Sequence, residues 1–211
     1  MDIVFNIETA GLPKDEILHL MPEFTAPSNY KDSEKIQAWK AKKQEEWFLD
    51  ASSSALSGKI LAIAIQEPFK NASFFADEDE KNLLQAFWDY YRNHCTCRFV
   101  GFGCNSFAIP FLVRRSWVNR VAVPNIFRGR FLNGNFTDLM QVWGCGTSER
   151  TTLANLAKFF GLKYEPLETP FEAMWIVNRE SALKTMERDV LAIRYIGEIM
   201  GVVAEEDFQW E

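Results

Sequence analysis

Cysteine is scarce in this chain. Cys95, Cys97, Cys104 and Cys145 are the only four among 211 residues. That excludes a disulfide scaffold, and the thiols are expected to be reduced. Cys95-Thr96-Cys97 beside His94 lacks the second ligand pair that a zinc finger needs, so a structural role is expected there. No run is apolar and long enough to cross a bilayer. A leader with a basic segment followed by an apolar one is also missing, so a cytoplasmic protein without a membrane partner is expected. Positive charge is not in excess: 23 Lys and Arg stand against 29 Asp and Glu, a net −6. That argues against coating nucleic acid by charge alone. It leaves room for an enzyme that grips one strand end through metal ions, because carboxylate ligands themselves make a site acidic. No internal repeat is present.

What the chain does have is apolar mass. It is 47% hydrophobic and 14% aromatic, enough for the core of one domain spanning 1–211. Ile3 to Ile7 reads as a buried strand, broken by Thr9-Ala10-Gly11-Leu12-Pro13. Residues 14–58 read as a helical insertion. Lys14 to Leu20 forms a short helix there, Pro22 and Pro27 mark a loop, and Asp32 or Ser33 caps a helix to about Leu49. Ile36, Trp39, Lys43 and Trp47 share one face of that helix, which predicts amphipathic packing. The sharper alternative has Lys31, Lys35, Lys40, Lys42 and Lys43 guiding a nucleic-acid strand. Ala51 to Ser54 resembles a linker.

Further on, Lys59–Gln66, Ala72–Ala76, Arg98–Phe102 and Asn135–Asp138 read as strands. Asp77–Tyr91, Phe107–Trp117, Leu139–Trp143, Thr152–Phe160 and Ser181–Met200 read as helices. Strands first, then strands alternating with helices, predict an α/β fold with a mixed sheet flanked by helices.

Three stretches carry the chemistry. Asn6 and Glu8 lie two apart on the first strand and so share a face. Two polar groups on a central strand are costly to bury unless they bind something, and oxygen donors suit a hard divalent cation. The second stretch is Gly101-Phe102-Gly103-Cys104-Asn105-Ser106-Phe107-Ala108-Ile109-Pro110-Phe111-Leu112, a strand end feeding a helix. The third is Glu187-Arg188-Asp189-Val190 inside the last helix.

Together these stretches resemble the DEDD (proofreading-type) 3′–5′ exonucleases, of RNase H-like fold. Their first motif is similar to Asn6-Ile7-Glu8-Thr9-Ala10-Gly11-Leu12-Pro13, with Asp in place of Asn6. The second resembles Phe107-Ala108-Ile109-Pro110-Phe111-Leu112, with Asp in place of Ala108. The third resembles Thr185-Met186-Glu187-Arg188-Asp189-Val190, with Tyr in place of Thr185. Phe136-Thr137-Asp138-Leu139-Met140 resembles a strand end of the family, and the insertion resembles a subgroup of predicted nucleases. The resemblance implies two Mg²⁺ or Mn²⁺ ions clamping the scissile phosphate, one activating water and one stabilising the leaving oxygen. It implies Asn6, Glu8 and Asp189 as metal positions. It also implies Thr9, Ala10, Gly11, Leu12, Asn105 and Phe107 against a single-stranded DNA or RNA 3′ end.

Glu8 and Asp189 survive of the family's acids. Asn6 offers a carbonyl without charge, Ala108 offers nothing, and Thr185 is no aromatic base. Two dications held together repel, and only concentrated negative charge offsets that. Three readings follow. The chain is an exonuclease fold that has lost turnover but keeps a strand-end groove. It is an active exonuclease, with ligands rebuilt elsewhere or acids replaced by design. Or it is a non-enzymatic module that binds a protein partner. Asp138 (through water), Glu187 and Lys184 are weighed as substitutes and disfavoured. Read without the resemblance, Glu8 is a surface carboxylate and Asp189 a solvated helix residue. Arg114 and Arg115 read as phosphate contacts or, with better odds, exposed helix charges. Trp175 and Trp210 read as packing residues.

Overall fold

The computed structural model describes residues 1–128, 131–132 and 135–204; Trp210 lies outside them. The strands are β1 (Asp2–Gly11), β2 (Gly58–Gln66), β3 (Ser73–Phe75), β4 (Arg98–Gly101), β5 (Phe127–Arg128), β6 (Phe131–Leu132) and β7 (Phe136–Asp138). The helices are α1 (Lys14–Ile17), α2 (Ser33–Leu49), α3 (Glu80–Asn93), α4 (Ile109–Val118), α5 (Leu139–Trp143), α6 (Leu153–Phe159), α7 (Phe171–Val177) and α8 (Arg179–Ile199). The chain divides into two units. One comprises Met1–Glu8 and the chain from Ile60 onward; the other is Thr9–Lys59.

The larger unit is built on a five-stranded sheet in the order β3-β2-β1-β4-β7. β1 sits at its centre because Ile3, Val4, Phe5 and Ile7 give it buried surface on both faces. β2 is buried along almost its whole length, as a near-continuous apolar run requires. β1 runs parallel to β4, and β4 parallel to β7, while β3 closes the other edge antiparallel to β2. This is the expected mixed α/β sheet flanked by helices. Parallel neighbours need a crossover, and between β4 and β7 the chain supplies α4. The carboxyl ends of β1, β4 and β7 therefore open on the same edge, where α/β folds place ligands.

Aromatic rings fill the space under α3. Phe99 packs on Phe5, Tyr91 and Phe136, and Trp88 lies against Phe87 and Tyr91. The buried Trp88 indole donates to the Ser116 hydroxyl at 2.7 Å, and Ser116 donates to the Leu112 carbonyl at 2.7 Å. Arg115 was expected on the surface or on phosphate. It is instead buried in an ion pair with Glu80 at 2.6 Å, and Glu80 also accepts from the Ile60 N–H and the Asn119 amide. Arg115 shares a helix face with apolar core residues, so its charge demanded an internal partner. Arg114, one position earlier, is exposed. α8 packs on β4, α6 and α7. α7 was not expected from the sequence; its anchor is Phe171, buried and 5.7 Å from Trp175, over which Arg179 lies at 4.4 Å.

The unit Thr9–Lys59 carries α1, a 3₁₀ turn at Leu18–Leu20 and α2. Asp32 caps α2 by accepting the Glu34 N–H at 2.9 Å. The amphipathic packing expected of α2 is only partly realised: Ile36, Trp39, Lys43 and Trp47 are half-buried, and no residue of the helix is fully buried. Lys42 and Lys43 both pair with Glu46 on the same helix, which leaves less positive charge for a strand. Ala51–Ser54, expected as a linker, contains a 3₁₀ turn at Ala51–Ser53. Its Ala51 carbonyl accepts the Ser57 hydroxyl at 3.0 Å. β1 also runs further than expected, to Gly11. Among the described residues, no helix is long and apolar enough to cross a membrane.

Candidate functional site

The first motif behaves as strand alternation requires. Asn6 and Glu8 project from the same side of β1, and the Asn6 side chain hydrogen-bonds the Glu8 carboxylate. Asp189 lies near enough for its charge to act on Glu8. It comes from the middle of α8, where Met186, Val190 and Ile193 bury the helix. Asp189 is 7% exposed and is therefore no solvated helix residue. The two surviving acids are thus brought together beside β1, three residues before it ends.

Their charges are unequal. Burial first, and then the charge of Asp189, push the Glu8 carboxyl up to about 8; the Asn6 hydrogen bond offsets part of this. Burial also raises Asp189, but two neighbours pull back. The Tyr164 hydroxyl donates to Asp189 Oδ1 at 2.8 Å, and the Arg188 guanidinium lies 3.6 Å from the same oxygen. Arg188 also covers the Tyr164 ring at 4.8 Å. The two carboxyls are therefore unequal: Glu8 is the one driven toward holding a proton, while Tyr164 and Arg188 favour the ionised form of Asp189. Burial and the Asp189 charge raise the Tyr164 hydroxyl well above its ordinary value, which makes it a donor here and a poor base.

The second motif is shaped by Asp138. β4 ends at Gly101, and a Cβ there would lie 2.8 Å from that of Cys104. Gly103 takes φ +66°, a conformation that glycine adopts without cost. A π-helical segment, Cys104–Ala108, then leads into α4. Asp138 holds this turn: its Oδ1 accepts from Gly103 N–H at 2.7 Å and Met140 N–H at 3.0 Å, and its Oδ2 from Asn105 N–H at 2.9 Å. Both oxygens are thereby engaged with the backbone, so Asp138 secures the turn. Burial and Asp138 together raise the Cys104 thiol.

The remaining predicted residues fall in several places. Ala108 is buried at the end of the π segment and brings no oxygen. Thr185 donates its hydroxyl back to the Ser181 carbonyl at 3.1 Å and touches Met174 Sδ at 3.7 Å. Lys184, exposed, pairs with Glu180 at 2.9 Å. The Asn105 amide donates to Gln141 Oε1 at 2.9 Å, and Phe107 is partly exposed against Phe111. Thr9, Ala10, Gly11 and Leu12 belong to the other unit. There the Thr9 hydroxyl donates to the Ser52 carbonyl at 2.8 Å, and the Leu12 N–H to the Ser57 carbonyl at 2.8 Å. Ala10 is buried, and a Cβ on Gly11 would lie 3.2 Å from that of Ala51.

Tyr164 and Arg188 were missed as site residues. Arg188 had one signal, its place beside Asp189. Tyr164 had none, since it reaches Asp189 across 25 positions of chain.

The donor chemistry beside β1 is two carboxylates and the carbonyl oxygen of Asn6. Hard oxygens of this kind suit one divalent cation. They do not carry the charge that two close dications require. Among the described residues, no group of three or more His, Cys, Asp or Glu is placed to hold a metal ion.

No family model matches this chain. No curated protein matches it either. Among solved structures it is similar to the family B DNA polymerase from the hyperthermophilic archaeon Pyrobaculum calidifontis, with a TM-score of 0.62 and 16% identity. The match covers 94% of this chain and 24% of the polymerase, so the chain spans about a quarter of that protein's length. At that identity the likeness is one of fold, and it is consistent with the RNase H-like fold expected from the sequence.

Proposed function

We propose that this chain is a 3′–5′ exonuclease fold with impaired catalysis that holds the end of a single-stranded DNA or RNA. One observation carries the reading: Glu8 on β1 and Asp189 on α8 are brought within range of each other's charge, while Ala108 and Thr185 bring no ligand or base to them. Likeness to a DNA polymerase supports nucleic acid as the ligand class. Glu8, Asp189 and the Asn6 carbonyl would hold a single Mg²⁺ or Mn²⁺, which when bound polarises a phosphate oxygen. Asn6 orients Glu8, and Tyr164 orients Asp189 through its hydroxyl. Arg188 competes with a metal for Asp189 but also adds positive charge toward a phosphate. Thr185, at the family's base position, takes no proton from water, because its hydroxyl is bound to the Ser181 carbonyl. Loss of a general base alone lowers a rate by about 10²–10⁴-fold.

Calorimetric titration with Mn²⁺, with and without a short single-stranded oligonucleotide, tests this. The expected result is weak binding with a stoichiometry no greater than one, strengthened by the oligonucleotide. A stoichiometry near two, with hydrolysis of the oligonucleotide, would replace the reading with an active nuclease. The variant Asn6→Asp/Ala108→Asp/Thr185→Tyr completes the test. It should degrade a 3′-labelled strand; a folded, metal-loaded variant that neither binds nor cuts would favour a protein-interaction module.

A further inference from the structure

We infer that the outward face of α4 and the turn after it form a second contact surface for single-stranded nucleic acid, built from Arg114, Trp117 and Arg120. The inference takes its polyanion from the reading above and adds a surface apart from the acidic pair.

From Tyr90 to Thr137 the sequence has seven arginines and no Asp, Glu or Lys, although the whole chain carries a net −6. All 29 acidic residues lie outside that stretch. At physiological ionic strength, charges more than about 8 Å apart are largely screened. A strand lying on this face therefore meets the local arginines rather than the net charge.

The structure shows which arginines are free to act. Arg115 points inward and is spent on Glu80. Arg98 pairs with Asp2. Arg114 and Arg120 are exposed, and among the described residues neither has a carboxylate within ion-pair distance. Trp117 lies between them, 63% exposed, with Val118 59% exposed beside it. Arg114, Trp117 and Val118 follow the i, i+3, i+4 spacing of one helix face. The Arg120 N–H donates to the Trp117 carbonyl at 3.2 Å, a tight turn that keeps the Arg120 backbone beside the end of α4. Arg92 borders the same turn, reaching the Ala122 carbonyl while paired with Asp89. Two acids reach this edge and both are paired: Asp89 with Arg92, and Glu80, which holds the Asn119 amide, with Arg115.

An exposed indole with an arginine free of carboxylates three positions to either side matches one chemistry well. Phosphates take the arginines, and an unpaired base stacks on the ring. Duplex bases are already stacked on one another and offer no face, which selects a single strand.

The test is fluorescence anisotropy of a labelled oligothymidylate, linear and circular, titrated in EDTA at several NaCl concentrations. Trp117→Ala should weaken binding of both forms by about 5–100-fold, and Trp117→Phe should restore most of it. Arg114→Gln with Arg120→Asn should lower the slope of log K against log salt by about 0.7 per arginine removed. Asn suits position 120, where φ is 56°. All three positions are exposed, so melting temperatures should match the wild type. Wild-type affinity and salt slope in these variants would overturn the inference, as would binding to duplex alone. Equal binding of linear and circular forms that persists when Mn²⁺ replaces EDTA would instead sink the strand-end reading while leaving this surface in place. A wild-type chain that binds neither form in EDTA would overturn the inference.

Discussion

Replacing Glu8 with Gln should stabilise the metal-free protein, and more so as pH rises. Burial and Asp189 lift the Glu8 carboxyl from an ordinary 4.5 to about 8. Between those values the folded chain keeps a proton on Glu8 that the unfolded chain has released. The folded state then binds more protons than the unfolded one, and stability falls with rising pH. Each pH unit in that window costs about 1.4 kcal/mol, or about 3 kcal/mol at pH 7. Below pH 4.5 Glu8 is protonated in both states and contributes nothing; above about 8 the slope ends. Gln keeps the shape and the contact with Asn6 but does not titrate. Urea unfolding of both proteins in EDTA from pH 5 to 8 gives the difference directly, and differencing cancels every other titrating group. That difference should grow by about 1.4 kcal/mol per unit in favour of the variant, and each kcal/mol should appear as roughly 2–4 °C in Tm. A flat difference, or a variant less stable at pH 8, would refute the assignment of the proton to Glu8. Mn²⁺ should narrow the gap, because it binds only the deprotonated carboxylate.

Three further outcomes follow from the same structure. Arg115→Ala strips the buried Glu80 of its partner and should cost about 3–5 kcal/mol in urea unfolding; loss below 1 kcal/mol would mean that the pair is not buried in solution. Asp138→Asn keeps both heavy atoms of the carboxylate in place, but only one of them accepts. It should destabilise by about 1–3 kcal/mol and speed hydrogen exchange at Gly103 and Asn105. Trp88→Phe removes the donor to Ser116 and should cost about 1–2 kcal/mol, with the Ser116→Ala double variant recovering part of it.

The sheet and helices were largely legible in the sequence because local signals wrote them. Thr152 before Leu153, Asp32 before Ser33 and Asp79 before Glu80 each cap a helix by accepting a backbone N–H. Gly161 stops α6 at φ +80°. The shared face of Asn6 and Glu8 follows from strand alternation alone. What stayed hidden was long-range. Nothing near Tyr164 announces Asp189, and nothing near Arg115 announces Glu80, 35 positions away. Asp138 shows the same limit: the strand end was readable, but not that its carboxylate would be consumed by three amides. α7 escaped because Phe171 to Val177 is short, and its burial depends on α8.

The hydrogen bond from Leu12 to Ser57 has an effect of its own. It ties the two ends of the Thr9–Lys59 unit together, reinforced where Gly58 lies so close that an added Cβ would meet the Ala10 carbonyl at 3.0 Å. A segment whose ends are already joined presents its host with a fixed gap, whatever its length. Doubling a flexible loop between fixed ends costs only about 0.6 kcal/mol. The exposed loop 27–31 is therefore where this unit can gain or exchange sequence at little thermodynamic expense.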